Sequence, residues 1–512
     1  MTEKFYITTP LYYPSARPHV GSAFEIIGID VVARFNRLLG RDVFLLTGMD
    51  EHGEKIQRKA EAQGKTPQQY VDDMAELYRR IWDEFGIAYD DFIRTTEPRH
   101  KEVVRTFFMR VHEKGDICKG TYEGWYCVRC ENFLTESQLA DGRCADCGEK
   151  ATRSSEEAYF FRMSRYQQQL LEHIERHPEF IQPDFRRNEI LSFIREGLRD
   201  VCVSRSTIHW GIPVPIEAGQ VIYVWFDALI NYITGVGYGQ DDTRFSRYWP
   251  ADVHVVGKDI LRFHTTIWPT MLMSAGLPLP RQVFGHGWVM AESGEKMSKS
   301  VGNVIDAEEL LKTYSADAVR FFLLREISFG VDGAFSEQKL INRINNDLGN
   351  DLGNLVYRTL SMIERYFGGV VPQPGPRTAD EAELVAAADG LVDEMERQIA
   401  AFQFNRALEA LWRLISEANK YVERCKPWSL AKDPAQRGRL GAVMYNLADA
   451  VRIIALLIEP FMPFTAELIR TQMQMEKPAG DVRELVAWGN QAPGVKISKG
   501  SPLFPKIETR KS

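Results

Sequence analysis

Four cysteines in two short pairs have a spacing typical of a metal site. The pairs are Cys127-Val-Arg-Cys130 and Cys144-Ala-Asp-Cys147, and thirteen residues separate them. Two pairs of thiolates at this spacing suit tetrahedral Zn²⁺, and four protein ligands leave no open position for catalysis. The pattern therefore predicts a structural zinc site. Free thiols in a shallow core and an iron–sulfur centre are the alternatives.

A single histidine stands where the first predicted strand passes into the first predicted helix, in the stretch PSARPHVGSAFE. Backbone N–H groups and the helix dipole attract anions at such a corner, so a phosphate would fit beside His19. Gly21 lets a ligand approach the backbone, and Pro18 stiffens the approach. A loop histidine beside a helix cap is the alternative. Ser22 and Glu25 also have the spacing of a capping box.

A second stretch, KMSKS at 296–300, combines two lysines with two hydroxyl groups between Gly294 and Gly302. Such a loop can close over a polyphosphate, because ammonium and hydroxyl groups donate hydrogen bonds to phosphate oxygens. Taken alone, a solvated surface loop is the alternative.

The elements that must position these residues begin with one strand–helix–strand unit. Residues 4–9 and 42–48 have strand patterns, and a helical apolar pattern runs between them from Phe24 to Leu38 and ends at Gly40. Two strands joined in this way are parallel, and such sheets bind ligands at the carboxyl ends of their strands. Helices are expected at about 67–85 and 101–115.

The rest of the chain changes character twice. Short mixed-charge elements around the cysteines, from 118 to about 215, indicate an insertion, and strand-like runs at 221–226, 252–257 and 282–290 are expected to complete the sheet. After Val304 helical patterns dominate and predict a helix bundle. The 512 residues, a net charge of −7 and the lack of an apolar run long enough to span a membrane are consistent with a cytosolic protein. The start has no secretion signal, which with seven cysteines disfavours a disulfide framework.

The two motifs together resemble the HIGH and KMSKS signatures of class I aminoacyl-tRNA synthetases, with HVGS at 19–22 in the first. Further stretches sharpen the resemblance to the methionyl-tRNA synthetase family and extend it over essentially the whole chain. These stretches are Pro10-Leu-Tyr-Tyr13, Thr47-Gly-Met-Asp-Glu-His-Gly53, Val224-Trp-Phe-Asp227, Gly257-Lys-Asp-Ile260 and Phe263-His264. Ser22 departs from the second histidine of HIGH and puts one imidazole–phosphate contact in doubt.

The resemblance implies a methionine pocket in which Asp50 takes the α-amino group and Arg205 supports Asp50. Aromatic side chains suit a polarizable thioether, and a buried carboxylate can pair with an ammonium group. Without the family, Trp225, Tyr232 and Phe263 would be interpreted as core aromatics. The implied pocket residues are Leu11, Tyr13, Asp50, Arg205, Trp225, Tyr232, Ile260, Phe263 and His264.

The resemblance also implies a two-step reaction. L-methionine attacks the α-phosphate of ATP to form methionyl-adenylate and pyrophosphate, and a ribose hydroxyl at the 3′ end of tRNA(Met) then takes the methionyl group. His19, Lys296 and Lys299 are the expected catalytic residues, acting by alignment and charge stabilisation, with Mg²⁺ bound through the phosphates. The implied ATP-binding residues are His19, Gly21, Ser22, Gly257, Asp259, His286, Lys296 and Lys299.

In the helical part, Asn354, Arg358 and Trp428 match family residues that read the CAU anticodon. Asn354 and Arg358 share one helix face, and a tryptophan at a helix start can stack on an unpaired base, although core packing is an alternative for Trp428. The family likewise places a zinc knuckle in the insertion, here a single one, and the chain has no room for the editing domain of related enzymes. A monomer is expected.

The implied fold class is α/β: a Rossmann-like parallel-sheet catalytic domain with a zinc-knuckle insertion, followed by an all-α helix-bundle anticodon-binding domain. Two rival functions stay open at this point: a class I synthetase for another amino acid, such as cysteine or leucine, and an inactive paralogue that binds tRNA. The expected ranges are 1–117 and 215–295 for the two catalytic halves, 118–214 for the insertion, 296–345 for the KMSKS and stem-contact region, and 346–512 for the bundle.

Overall fold

A computed structural model describes residues 2–128, 131–134, 139–145, 148–297, 302–477 and 480–508, with the backbone alone for 132, 133 and 154. Three of the predicted site residues, Cys130, Cys147 and Lys299, lie outside these ranges.

The described strands fall into a central parallel sheet, an antiparallel sheet in the predicted insertion, and short two-stranded pairs. In chain order they are β1 Lys4–Thr8, β2 Asp42–Met49, β3 Asp91–Arg94, β4 Ile117–Cys127, β5 Asn132–Leu134, β6 Leu139–Ala140, β7 Arg143–Cys144, β8 Thr152–Phe161, β9 Ile181–Gln182, β10 Val201–Cys202, β11 Ser204–Arg205, β12 Val221–Ile222, β13 Val253–Gly257, β14 Val283–His286, β15 Val289–Met290 and β16 Gly333–Ala334.

The described helices surround the central sheet and then form a bundle by themselves. They are α1 Val20–Leu38, α2 Glu54–Glu61, α3 Pro67–Glu84, α4 Pro98–Glu113, α5 Gln167–Arg176, α6 Asp184–Arg195, α7 Val224–Leu229, α8 Asn231–Thr234, α9 Asp242–Tyr248, α10 Trp268–Ala275, α11 Ala307–Thr313, α12 Ala316–Glu326, α13 Glu337–Arg343, α14 Asn354–Phe367, α15 Ala379–Ala388, α16 Leu391–Ala400, α17 Phe404–Cys425, α18 Pro427–Leu430, α19 Arg437–Ile458, α20 Pro463–Met473 and α21 Val482–Leu485, with π-helical turns at Phe263–Ile267 and Ile344–Gly353 and 3-10 turns at Met163–Tyr166 and Pro434–Gln436.

The central sheet has six parallel strands in the order β3-β2-β1-β13-β14-β9. The predicted first unit, β1-α1-β2, is confirmed, and β13 and β14 complete the sheet as expected. The edge strand β9 comes from within the predicted insertion and pairs with β14. The chain therefore returns to the sheet once before the second catalytic half begins.

The expected strand at 221–226 is wrong for most of its length. Only β12 is extended, and α7 begins at Val224. A short apolar run cannot be assigned to strand or helix from periodicity alone, because a fully buried helix and a fully buried strand have the same composition. Trp225, which is expected to line the methionine pocket, therefore lies on a helix and not on a strand.

The insertion contains an antiparallel sheet in the order β10-β8-β4-β5 and the small β6-β7 hairpin. The long strands β4 and β8 pair from Ile117–Phe161 to Tyr126–Thr152. Cys127 ends β4, and Cys144 ends β7 of the small hairpin.

The predicted helix bundle is confirmed from α14 to α20. The helical pattern EAELVAAADGLVDEMERQIAAF, residues 381–402, is divided into α15 and α16 at Gly390, whose φ of 64° is left-handed. Among the described residues, the helical segment Pro434–Ile458 is long and apolar enough to cross a membrane, but its apolar window is wholly buried inside the bundle. It is the bundle's core helix.

A buried arginine joins the bundle to the catalytic part. Arg320, on α12, pairs with Asp30 of α1 at 2.6 Å and donates to the carbonyl oxygens of Phe85, Pro460 and Phe461. One continuous apolar core runs from the α1 face of the sheet into the bundle, and a second covers the opposite face.

Candidate active site

A cavity of about 250 Å³ opens where the chain leaves β1, β2 and β13. This is the sheet edge at which parallel α/β folds bind ligands. Seven of the nine residues expected to hold methionine line it, namely Leu11, Tyr13, Asp50, Trp225, Tyr232, Ile260 and His264. Its lining also includes Asp259 and Glu131.

One wall of the cavity is aromatic. The Trp225 ring stacks on Phe263 with centroids 3.9 Å apart and planes 5° from parallel. Phe263 thus supports the wall from behind Trp225. The Tyr232 hydroxyl lies 2.7 Å from Nε2 of His264. These contacts produce an apolar slot with a fixed polar end.

Burial favours the neutral form of two histidines that contact Tyr232. Nδ1 of His264 lies 3.0 Å from the Ile260 carbonyl, which only accepts, so Nδ1 carries the hydrogen and Nε2 accepts from the Tyr232 hydroxyl. Burial lowers the pKa of His264 to about 4. Nε2 of His254 accepts from the Trp268 indole N–H at 3.3 Å, and burial lowers its pKa well below the usual value.

His254 also supports the slot directly. Its ring lies 4.1 Å from that of Tyr232, and its Nδ1 lies 2.8 Å from the Thr8 hydroxyl. Because Nε2 already accepts, Nδ1–H is the donor to Thr8. The back of the slot therefore carries no charge.

Asp50 faces the cavity with an unsatisfied oxygen. Its Oδ1 is buried and has no hydrogen-bond partner among the described residues. Burial raises the pKa of Asp50 well above its usual range, and the nearby carboxylates of Asp227 and Glu131 raise it further. A cation in the cavity would satisfy this oxygen and favour the ionised form.

Asp227, at the end of the VWFD stretch, is clamped between two histidines. His52 Nδ1 lies 2.6 Å from one carboxylate oxygen and His100 Nε2 lies 2.7 Å from the other. Burial opposes ionisation of Asp227, but the charges and hydrogen bonds of the histidines outweigh it and lower the pKa. This clamp fixes α7, and with it Trp225, against β2 and α4.

Arg205 is buried and has well-defined partners. Its guanidinium donates to Glu156 and to Thr207, each at 2.9 Å, and lies 4.0 Å from the Tyr126 ring centroid. Its expected support of Asp50 stays a prediction.

The HVGS motif forms the start of α1, but not through the predicted capping box. His19 is the N-cap residue, and its Nδ1 accepts from the backbone N–H groups of Gly21 at 3.1 Å and Ser22 at 3.3 Å. A side chain on Gly21 would lie 3.0 Å from the His19 ring. Ser22 lies inside the first turn, so the Ser22–Glu25 capping box is wrong: the imidazole three residues earlier does the capping.

Glu25 instead reaches across to the next expected ATP residue, His286. Its carboxylate lies 2.6 Å from His286 Nε2, and His286 Nδ1 lies 2.7 Å from the Gly287 carbonyl. Burial lowers the pKa of His286, but the Glu25 carboxylate outweighs it, and the net shift is upward. With acceptors on both nitrogens, His286 is an imidazolium paired with Glu25.

Backbone hydrogen bonds join the HVGS segment to the segment that follows KMSKS. Val20 N–H donates to the Ile305 carbonyl at 2.9 Å, and Ala307 N–H donates to the Pro18 carbonyl at 3.2 Å. The segment that follows KMSKS is thus attached to the segment that begins HVGS, so the base of the lysine loop is fixed beside His19.

The Trp288 ring makes cation–π contacts with two lysine ammonium groups. Lys296 Nζ lies 3.6 Å from its ring centroid and Lys258 Nζ lies 4.1 Å from it. Its indole N–H is 3.4 Å from Oδ1 of Asp259. A side chain on Gly257 would meet the same oxygen at 2.6 Å, which explains a glycine at the end of β13.

Cys127 and Cys144, the two predicted zinc ligands among the described residues, belong to one small buried cluster. Cys127 and Cys144 end separate strands, are nearly inaccessible, and pack in one small cluster with Leu134 and Ala151. Among the described residues no group of three or more His, Cys, Asp or Glu side chains could hold a metal ion. Buried thiols brought together from two strands are nevertheless the donors that Zn²⁺ prefers, so these two residues fit the group.

The residues expected to read the anticodon lie on one surface of the bundle. Asn354 begins α14 and is exposed. Arg358, one turn later, pairs with Glu423 at 2.7 Å and lies 5.6 Å from the Trp428 ring. Trp428 is half-buried against the core, so one part of its ring packs and another part faces solvent.

The sequence interpretation missed Glu131, which no motif identified and which lines the cavity from the insertion. It also gave no role to His254 or Asp227. Asp227 could have been found, since a carboxylate inside an apolar run demands a buried partner. For Glu131 no sequence signal existed, because Tyr13, Lys55 and Tyr223, which connect it to the cavity, are each more than seventy residues away along the chain.

Family models match most of the chain. One for class I tRNA synthetases (M) matches residues 5–156 and 135–360, and one for the anticodon binding domain of methionyl tRNA ligase matches residues 371–512. The methionine–tRNA ligase of Caldanaerobacter subterraneus subsp. tengcongensis is 52% identical over 100% of this chain and 80% of its own length. That of Thermotoga maritima is 45% identical over 99% and 81%.

Solved structures agree with these relatives. Mycobacterium tuberculosis methionyl-tRNA synthetase in complex with methionyl-adenylate superposes with a TM-score of 0.94 at 42% identity, over 98% of this chain and 100% of that one. The apo form of the same enzyme gives a TM-score of 0.88 at 39% identity, over 100% and 99%.

Proposed function

The chain belongs to the methionine–tRNA ligase family of class I tRNA synthetases, and on that premise we propose how its residues divide the reaction. The reaction activates L-methionine with ATP to methionyl-adenylate, releases pyrophosphate, and transfers methionine to the 3′ end of tRNA(Met). One observation carries the assignment of roles: a cavity with an apolar aromatic wall holds a carboxylate oxygen without a partner among the described residues, and its lining residue Asp259 contacts Trp288, whose ring faces Lys296 of KMSKS.

The methionine site combines the aromatic slot with Asp50. The thioether lies against Trp225 and Tyr232, because aromatic rings contact sulfur favourably. The α-ammonium group pairs with Asp50, whose buried Oδ1 has no described partner. Arg205, Leu11, Tyr13, Ile260, Phe263 and His264 complete the site.

The ATP site lies at the start of α1 and under the lysine loop. His19, Gly21 and Ser22 border the phosphates, and Gly257, Asp259 and His286 border the nucleoside. Lys296 and Lys299 stabilise the negative charge that develops on the phosphates during attack by the methionine carboxylate. No covalent enzyme intermediate is needed, so the rate arises from alignment and charge.

Two metal ions have separate places in the proposal. Cys127, Cys130, Cys144 and Cys147 hold a structural Zn²⁺, which would keep the end of the insertion folded. Mg²⁺ accompanies ATP and is bound through phosphate oxygens and water. The buried pair Cys127 and Cys144 supports the first assignment.

The bundle binds the anticodon through Asn354, Arg358 and Trp428. The solvent-facing part of the Trp428 ring can stack on an unpaired base, and Arg358 beside it can donate to a base edge. We further propose a cytoplasmic monomer with catalytic halves at 1–117 and 215–295, the zinc-knuckle insertion at 118–214, the stem-contact region at 296–345 and the anticodon domain at 346–512.

Pyrophosphate exchange into ATP tests the site assignment. Exchange is expected with L-methionine and not with L-leucine or L-cysteine. Trp225→Ala is expected to raise the methionine KM about 10-fold or more, because the thioether loses its aromatic contact. A control away from the cavity is Trp412→Ala, on α17 of the bundle, where Trp412 packs on Phe321. Equal effects on methionine and ATP KM values in Trp225→Ala would reject the methionine pocket.

A further inference from the structure

We propose that Glu131, which the cysteine-containing insertion carries into the catalytic cavity, is a positioning residue for methionine binding that acts through Tyr13. The inference rests on the proposed methionine site and adds a residue that sequence motifs did not identify. Glu131 is only 4% exposed although it lies in the insertion.

The Glu131 side chain is held by donors from three other elements. Its Oε1 accepts from the Tyr13 hydroxyl at 3.0 Å and from the backbone N–H of Lys55 at 2.7 Å, and its Oε2 accepts from the Tyr126 hydroxyl. Its main-chain carbonyl accepts from the Tyr223 hydroxyl. A carboxylate with both oxygens engaged has one orientation, so it fixes its donors in turn.

These contacts connect both sides of the cavity. Tyr13 follows β1 and lines the cavity, while Tyr223 directly precedes α7, which carries Trp225. Glu131 therefore holds the two walls at a set distance. Its φ of 51° lies in the left-handed region that residues other than glycine rarely adopt, and the Tyr223 contact holds the backbone there.

Glu131 also completes the start of α2. The N-cap residue of α2 is Gly53, which has no side chain to accept from the first-turn N–H groups. Glu131 takes that place from a distant part of the chain by accepting from Lys55 N–H. Gly53 leaves the necessary space, since a side chain there would lie 2.7 Å from the Tyr13 hydroxyl and 3.0 Å from Glu131 Oε1.

Glu131 affects the end of the cavity where Asp50 is proposed to bind the methionine ammonium group. Asp50 and Glu131 line the same cavity, and Asp50 Oδ1 has no partner among the described residues. The Tyr13 hydroxyl donates its single hydrogen to Glu131 and not to Asp50, so Asp50 stays available to the ligand, and the negative charge of Glu131 adds to the attraction for a cation.

Steady-state pyrophosphate exchange with Glu131→Ala and Glu131→Gln tests the inference. We expect Glu131→Ala to raise the methionine KM about 10-fold, because three donors lose their acceptor, with the ATP KM within about twofold of the native value. Glu131→Gln retains the acceptor oxygen and is expected to recover part of the loss. The matched control is Glu157→Gln, an exposed carboxylate of the same insertion that pairs with Lys119 at 3.3 Å.

A double-mutant cycle between Glu131 and Tyr13 distinguishes a positioning role from a general loss of structure. If Glu131 acts through Tyr13, adding Tyr13→Phe to Glu131→Ala changes the methionine KM less than Tyr13→Phe does in the native chain. Additive effects, an unchanged methionine KM in Glu131→Ala, or equal rises in the methionine and ATP KM values would each overturn the inference. Failure of the native protein to exchange with methionine would instead reject the proposed function.

Discussion

The methionine side and the ATP side of the site use buried histidines in opposite protonation states. His264 and His254 each have one nitrogen facing an acceptor and the other facing a donor, and both have lowered pKa values. His286 has acceptors at both nitrogens, one of them the Glu25 carboxylate, and its pKa is raised.

Burial is common to all three imidazoles, so burial does not explain the difference. Removal from water alone disfavours the imidazolium and lowers the pKa. Burial prevails for His254 and His264, whose second nitrogens face an indole N–H and a hydroxyl, whereas the Glu25 carboxylate offsets burial for His286 and favours the second proton there. The same side chain thereby forms an uncharged wall for a thioether and a cationic border for a nucleotide.

The largest effect is expected on the ATP side from removing a lysine of the KMSKS motif. Lys299→Ala should lower the adenylation rate by about 100-fold or more, because it removes a charge that stabilises the phosphates in the transition state. Single-turnover formation of methionyl-adenylate measures the rate, and equilibrium dialysis measures methionine binding, which should be unchanged. A loss confined to methionine affinity would contradict this role.

On the methionine side, Asp50→Asn should weaken methionine binding by about 100-fold, because the ammonium group loses its charged partner. The ATP KM is expected to change less than about threefold. Asn keeps the shape of the side chain, so the difference reports charge. An equal loss for 4-(methylthio)butanoate, which lacks the ammonium group, would place the effect elsewhere.

Glu25→Gln tests the charged histidine. Because the folded pKa of His286 lies above its unfolded value, the pair stabilises fully below about pH 6.5, and this stability is lost as the pH rises through the folded pKa. The variant should therefore melt roughly 3 °C below the native protein at pH 6, and the gap should narrow towards pH 9. A gap that widens with pH would show that His286 is not held as an imidazolium.

His264→Gln tests whether His264 is neutral, and here the stability contributed by the histidine is expected to change with pH in the opposite direction. The folded pKa of about 4 lies below the unfolded value, so the native protein loses stability as the pH falls from about 6.5 to 4, by up to about 3 kcal/mol from this residue. The variant lacks this dependence, and its melting temperature should fall less steeply over that range. Parallel curves for the two proteins would contradict a neutral His264.

The smallest effect is expected from Ser22. Its backbone N–H, not its hydroxyl, donates to His19, so Ser22→Ala should change the adenylation rate by less than about threefold. Ser22→His in the same assay shows whether an imidazole at this position adds a phosphate contact. A large loss in Ser22→Ala would make the hydroxyl a catalytic contact.

Sequence patterns predicted the elements that depend on local periodicity. The β1-α1-β2 unit, the long helices of the bundle and the approach of β13 and β14 to the first sheet all follow from apolar spacing and chain connectivity. The errors have local causes: 221–226 is too short and apolar to distinguish strand from helix, and the Ser22–Glu25 spacing fits a cap that His19 occupies. Burial within the fold decided the first case, and a side-chain cap two to three residues away decided the second.

The sequence by itself determined the family, the order of the elements and most of the residues around the cavity, because these are carried by motifs and by periodicity. Only the tertiary structure decided that Glu131 enters the cavity from the insertion, that Glu25 pairs with His286, and that His254 stands behind Tyr232. Each of these depends on residues far apart in the chain, and a protonation state is set by the donors and acceptors that packing brings to each nitrogen.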